Sequence, residues 1–94
     1  MFLEHLTAFG GRILDAGGEV TVDEEAAVAA LTFMRDAIHA DGFVPASALT
    51  WQEEQTRFAF QNGQAAYMRN WPYAWVLLQK ANRSAVAGRV GVTR

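Results

Sequence analysis

A short run with two large aromatic residues, Asn70-Trp71-Pro72-Tyr73, is the part of the sequence best suited to chemistry. It is predicted to join a short strand to the start of a helix, where backbone N–H groups and the positive end of the helix dipole are exposed. A flat Trp or Tyr ring can receive the apolar C–H face of a sugar, while amides and charged groups hydrogen-bond its hydroxyls. The run is therefore a candidate for ligand contacts through Trp71 and Tyr73. The alternative is that both rings belong to the hydrophobic core.

Two adjacent carboxylates, Glu53 and Glu54, lie at the start of the preceding predicted helix. Neighbouring residues on a helix point about 100° apart, so these two cannot face each other as an acid/base pair. We interpret Glu53 as a capping residue for Thr50 that also forms an exposed ion pair with Arg57 at i,i+4. Glu54 lies nearer the face that carries Trp51, and it is a second candidate for ligand binding.

No other residues have the spacing of a reactive or metal-binding site. His5 and His39 have no ligand spacing with each other or with a carboxylate cluster, and the chain contains no cysteine. Ser47 and Ser84 lie in predicted loops without a nucleophile-elbow motif. We therefore expect no catalytic residue, no metal, no cofactor and no enzymatic activity.

Length and composition limit the chain to one small domain. The 94 residues are 51% hydrophobic and carry a net charge of −2, with the eight Lys and Arg residues scattered singly. No basic surface is expected that would attract nucleic acid. No apolar run approaches the roughly 20 residues of a membrane span. The first five residues lack the basic and apolar regions of a signal peptide, so an export signal is expected outside this chain.

Hydrophobic spacing predicts an α+β chain of four helices and a few short strands. The helices are expected over residues 2–9, 23–40, 50–61 and 72–80, and the strands over residues 12–14, 19–22, 65–69 and 89–93. In the second helix, Asp23 suits the N-cap and Gly42 a left-handed C-cap. Its core stripe is predicted to be Ala27, Ala30, Leu31, Phe33, Met34, Ala37 and Ile38.

The fourth predicted helix is apolar nearly all round, so both of its sides are expected to be covered. The first helix has no N-cap residue, and the last predicted strand runs to within one residue of the end of the chain. These features predict that the chain is an excerpt of a larger domain.

The run from Phe60 to Trp75, Phe-Gln-Asn-Gly-Gln-Ala-Ala-Tyr-Met-Arg-Asn-Trp-Pro-Tyr-Ala-Trp, resembles a segment of the family 1 extracellular solute-binding proteins, which deliver sugars to ABC importers. The resemblance is greatest to the trehalose/maltose-binding branch. It extends upstream to the helix before Gly10-Gly11-Arg12-Ile13-Leu14-Asp15 and to Trp51-Gln52-Glu53-Glu54, and downstream to the segment from Ser84 to Val92. It therefore covers essentially the whole chain in order.

The resemblance implies a periplasmic-binding-protein type II-like α/β fold, with two lobes joined by a hinge and sugar bound in the cleft between them. Residues 1–94 would form part of the C-terminal lobe. In such relatives, aromatic residues at the positions of Trp71 and Tyr73 stack on the sugar. We expect Asn70 and Arg69 chiefly to support the loop, and we include Asn70 and Glu54 with the aromatic pair as substrate-binding candidates.

The resemblance also implies partners and a location. The parent would bind a di- or oligosaccharide without chemistry, would meet ABC permease subunits, and would lie in the periplasm or on the extracytoplasmic side, anchored to the membrane. The alternative is a helical interaction module that self-associates without a ligand. The chain alone is expected to form a homo-oligomer.

Overall fold

A computed structural model of the chain describes residues 1–93 and contains four α-helices. They are α1 (Phe2–Ala8), α2 (Glu25–His39), α3 (Glu53–Gln61) and α4 (Tyr73–Leu78), with a 3₁₀ turn at Ala46–Thr50. The four predicted helices are confirmed, each slightly shorter than predicted. The chain divides into two compact units, Met1–Ala46 and a second beginning at Ser47. Among the described residues, no helix is long and apolar enough to cross a membrane.

The first unit is built on the packing of α1 against α2. Leu6 of α1 is 1% exposed. The chain then passes so close to both helices that a Cβ at Gly11 would lie 2.4 Å from Cδ1 of Leu6 and 2.9 Å from Cβ of Ala26. A residue without a side chain is therefore required at position 11.

The core stripe predicted for α2 is only partly buried. Ala27, Ala30 and Ala37 are buried, but Leu31 is 55% exposed and Phe33 is 41% exposed. The helix α1 has 7 residues and α2 has 15, which corresponds to lengths of about 10 Å and 22 Å. Because α1 is less than half as long as α2, it covers only part of the surface of α2. The prediction that Leu31 belongs to the core is therefore wrong.

Two predicted N-caps are also wrong. The N-cap of α2 is Glu24 instead of Asp23, and no side chain bonds to that helix end. Thr50 does not cap α3, because the N-cap of that helix is Gln52 and Thr50 lies in the preceding 3₁₀ turn, where its hydroxyl donates to the carbonyl of Ser47 at 3.0 Å. The helix α3 begins later, at a capping box in which the Gln55 side chain accepts the backbone N–H of Gln52 at 3.2 Å.

The predicted strands do not form ladders. Within residues 1–93, the β-pairing is a single antiparallel bridge between Leu14 and Val20. It joins the first two predicted strands around a turn in which the Asp15 carboxylate accepts the N–H groups of Gly17 and Glu19. Residues 65–69 and 89–93 are not strands. A strand needs a neighbour that bonds to its backbone groups, and no such neighbour runs beside either segment in the part of the chain described.

The second unit carries α3 and α4. Ala74 and Leu78 of α4 are 3% and 2% exposed, respectively. The opposite side of α4 is open, since Trp75 is 44% exposed and Val76 is 63% exposed. The expectation that both sides of this helix are covered is therefore wrong for this chain. Gln79 follows as the C-cap, so α4 ends before the predicted Lys80.

Candidate functional site

The two aromatic residues singled out in the sequence are held by the two adjacent carboxylates at the start of α3. The indole Nε1 of Trp71 donates to Oε1 of Glu53 at 2.8 Å. The hydroxyl of Tyr73 donates to Oε1 of Glu54 at 2.7 Å. Because neighbouring helix positions diverge, each carboxylate reaches a different ring. We call these four residues, together with Asn70, the aromatic–carboxylate cluster.

Asn70 fixes the loop that precedes α4. Its Nδ2 donates to the backbone carbonyl of Glu53 at 3.0 Å, and its Oδ1 accepts the backbone N–H of Trp71 at 2.8 Å. Both ends of the amide are thus used within the cluster. This arrangement agrees with the expectation that Asn70 supports the loop.

Neither ring of the pair is buried in the hydrophobic core. Trp71 is 51% exposed and Tyr73 is 38% exposed. The guanidinium carbon of Arg69 lies 4.5 Å from the centroid of the Trp71 ring, a cation–π distance that covers one face of the indole. The polar edges of both rings are occupied by Glu53 and Glu54, so their exposed apolar surface is what remains for contact with a ligand.

The ion pair in this region differs from the predicted one. Arg57 pairs with Glu54 at i,i+3, and not with Glu53 at i,i+4. Glu53 instead accepts from the indole, a role that the sequence analysis missed. The i,i+4 spacing of Glu53 and Arg57 predicts an ion pair between them. Trp71 lies 18 residues after Glu53, and no local pattern in the sequence links Glu53 to Trp71.

Hydrogen bonding shifts the pKa values of Glu54 and Tyr73. The pKa of Glu54 is lowered, first because Arg57 donates to its carboxylate and second because Tyr73 does. The pKa of Tyr73 is raised, chiefly because its hydroxyl hydrogen is held by Glu54. Glu54 is therefore a charged acceptor and Tyr73 a neutral donor throughout the physiological range.

The surface beside the cluster is shallow and open, and it is lined by Gln52, Glu53, Glu54 and Gln55. In residues 1–93, no group of three or more His, Cys, Asp and Glu side chains is placed to hold a metal ion. The arrangement supplies exposed aromatic surface with fixed acceptors beside it, which suits the non-covalent binding of a polyhydroxylated molecule.

Comparison with known proteins gives consistent matches over nearly the whole chain. The model of a family described as bacterial extracellular solute-binding protein matches residues 1–93. A probable ABC transporter-binding protein of Deinococcus radiodurans is 42% identical over 91 residues, covering 96% of this chain and 21% of the relative. The structure of maltose-bound T. maritima MalE3 superposes with a TM-score of 0.92 at 49% identity, covering 98% of this chain and 23% of the other. The chain thus spans between a fifth and a quarter of the length of these relatives.

Proposed function

Because the chain belongs to the bacterial extracellular solute-binding protein family, we propose that it is part of a protein that binds a sugar for import by an ABC transporter. The description of the Deinococcus radiodurans relative supports the transporter link. The maltose bound to the T. maritima relative supports a sugar as the ligand. Members of the family are non-enzymatic binding proteins, which agrees with the prediction that this chain is not an enzyme.

The observation that carries the proposal is the aromatic–carboxylate cluster. Its rings are 51% and 38% exposed at Trp71 and Tyr73, yet their polar edges are fixed at 2.8 Å and 2.7 Å from carboxylate oxygens. A fixed, exposed aromatic surface can stack on the C–H face of a sugar with little loss of conformational freedom. Glu54 supplies a charged acceptor beside it for a hydroxyl hydrogen.

The finer parts of the proposal follow from the same resemblance. The ligand is a disaccharide or oligosaccharide of the trehalose/maltose type, and residues 1–94 form part of the C-terminal lobe of a two-lobe protein. The second lobe would cover the sugar face that this chain leaves open, since small-molecule sites bury most of their ligand. The parent works outside the cytoplasm, anchored to the membrane, and delivers its sugar to the permease subunits.

The alternative is a self-associating helical module. Exposed apolar residues such as Phe9, Phe43 and Val76, which are 45%, 62% and 63% exposed, would form its contact surfaces. The family match and the maltose-bound neighbour favour sugar binding over this alternative. Sugar binding by a chimaera that carries these residues in place of the matching segment of T. maritima MalE3 separates the two, because a chimaera that folds but binds no sugar supports only the self-associating module.

The direct test places the chain where a sugar can be enclosed. In this test, residues 1–94 replace the matching segment of T. maritima MalE3 to give a chimaeric protein. Calorimetry then measures the binding of maltose and trehalose to the chimaera. Trp71→Ala and Tyr73→Ala should each weaken binding by about 5- to 150-fold, the range of a stacked aromatic contact.

A matched control is available in the same chain. Tyr67 lies outside the cluster and takes no part in the hydrogen bonds that hold its two rings, so Tyr67→Ala should leave the affinity unchanged. Unaltered affinity in both cluster variants, with an intact fold by circular dichroism, would remove the cluster from the binding site. It would leave the rings with a purely structural role.

A further inference from the structure

The helix α3 buries a charged residue directly behind the aromatic–carboxylate cluster. Arg57 is 7% exposed. Its Nη2 donates to Oε2 of Glu54, and its Nε donates to Oε1 of the same carboxylate at 3.3 Å. Its Nη1 donates to Oε1 of Gln61. The planar guanidinium thus uses three of its nitrogens on two fixed partners, as a buried cation must.

Gln61 anchors this arrangement to the segment after α4. Its side-chain Nε2 donates to the backbone carbonyl of Arg83 at 2.7 Å. The backbone carbonyl of Gln61 accepts the N–H of Ala85 at 2.9 Å. Gln61 is itself 7% exposed. A continuous chain of hydrogen bonds therefore runs from Arg83 through Gln61, Arg57 and Glu54 to the hydroxyl of Tyr73.

We propose that Arg57 is a positioning residue, which acts through Glu54 to hold the Tyr73 ring in its ligand-binding orientation. The inference rests on the proposed function, because it assigns Arg57 a part in that same site. Without Arg57, the Glu54 side chain loses both bonds that fix its plane. The Glu54 side chain is 51% exposed, so its carboxylate would then turn away from Tyr73 and hydrogen-bond to water.

The same geometry limits what Glu54 can offer a ligand. An ionised carboxylate accepts at about four lone-pair positions. Among residues 1–93, Oε1 accepts from Arg57 and Tyr73, while Oε2 accepts from Arg57. One lone pair of Oε2 remains, and Arg57 keeps the group charged, so Glu54 accepts a single further donor such as a sugar hydroxyl.

The test uses the 94-residue chain and needs no ligand. The sequence has two tyrosines, so Tyr67→Phe leaves the phenol absorbance of Tyr73 alone, and its titration can be followed at alkaline pH. The charged groups around the phenol are Glu54, Glu53 and Arg57, with Glu54 contributing most to its raised pKa and Arg57 opposing it. Loss of the cation by itself would raise the pKa of Tyr73 further, whereas loss of the Glu54 bond would lower it.

Arg57→Gln should therefore lower the pKa of Tyr73 towards its ordinary value. An unchanged or raised pKa would mean that loss of the Glu54 bond does not outweigh loss of the cation, and would overturn the proposal. Arg57→Lys keeps the charge but loses the fork geometry, and a smaller fall is expected. If Arg57→Gln does not fold, the lysine variant decides the matter by the same criterion. Arg35→Gln removes an exposed ion pair with Asp36 and is the matched control, with no change expected.

A second readout separates this inference from the proposed function. In the MalE3 chimaera, Arg57→Gln should weaken sugar binding by about tenfold, the scale of one charge-assisted hydrogen bond. If Tyr73→Ala weakens binding but Arg57→Gln changes neither the affinity nor the phenol titration, the positioning role fails while the sugar site stands. If Tyr73→Ala has no effect on affinity, the sugar site fails, and the titration still decides whether Arg57 positions Tyr73.

Discussion

Replacing Leu78 by alanine should destabilise the second unit and loosen the Tyr73 ring at the start of α4. Leu78 is one of the two largest fully buried side chains, 2% exposed, and it lies at the last position of α4. A helix of six residues is too short to be stable alone, so its packing must hold it. Truncating a fully buried leucine costs about 2–5 kcal/mol, which combines the lost transfer free energy with the cavity left behind.

That cost is large for a chain of this size. A domain of 94 residues has a total stability of about 5–14 kcal/mol at the usual value per residue. With a urea dependence of about 1 kcal/mol per molar for a small domain, the unfolding midpoint should fall by at least about 2 M. Urea unfolding of the isolated chain, followed by far-ultraviolet circular dichroism, measures this shift directly.

The control is Val76→Ala on the exposed side of the same helix. Val76 is 63% exposed, so its truncation should change stability by less than about 0.5 kcal/mol. If the two variants have the same midpoint, or if Leu78→Ala shifts the midpoint by less than about 1 M, then Leu78 does not hold α4 in place. The expectation that packing through Leu78 holds α4, and with it the first residue of the helix, Tyr73, would then be wrong.

Other changes test the first unit and the charges of the cluster. Gly11→Ala should cost about 1–3 kcal/mol, because the new Cβ would lie 2.4 Å from Leu6, and calorimetric melting measures this loss. The pKa of Glu54 is lowered in the folded chain, so its contribution to stability is present above the ordinary pKa of 4.5 and is lost as the pH falls through the folded value. The pKa of Tyr73 is raised, so its contribution is present below pH 10.0 and is lost as the pH rises through the folded value. Urea midpoints across the pH range should show both losses, the acid one missing in Glu54→Gln and the alkaline one missing in Tyr73→Phe.

The sequence predicted the helices well because their signals are local. Apolar spacing, the glycine at position 42 and the proline at position 72 each act within a few residues. Gly42 does adopt a positive φ of 68°, although the C-cap of α2 is Ala40 and the prediction of Gly42 as that cap is wrong. Pro72 immediately precedes α4. The strands were predicted from equally local patterns, but a strand also depends on a distant partner that composition does not specify.

Part of the candidate site could be predicted because its residues, like the helices, stand out in local patterns of the sequence. Trp71, Tyr73, Asn70 and Glu54 were all selected, and the structure brings them together at one end of α3. The role of Glu53 was missed, because its partner is set by the path of the loop between the helices. Whether these residues bind sugar stays a prediction.

The hydrogen bonds of the cluster close a long loop, because they join the start of α3 to the start of α4 and the residues just before it. They join residues 17, 18 and 19 positions apart, and closing a loop of about 18 residues costs roughly 2–3 kcal/mol of chain entropy beyond a constant. The three bonds share that single cost, since the first to form brings the partners of the other two into reach. We therefore expect the three bonds to form and break together. If one ring is replaced, the bond of the other ring and the bond of Asn70 still close the same loop, so a change of aromatic residue at this surface should not by itself open it.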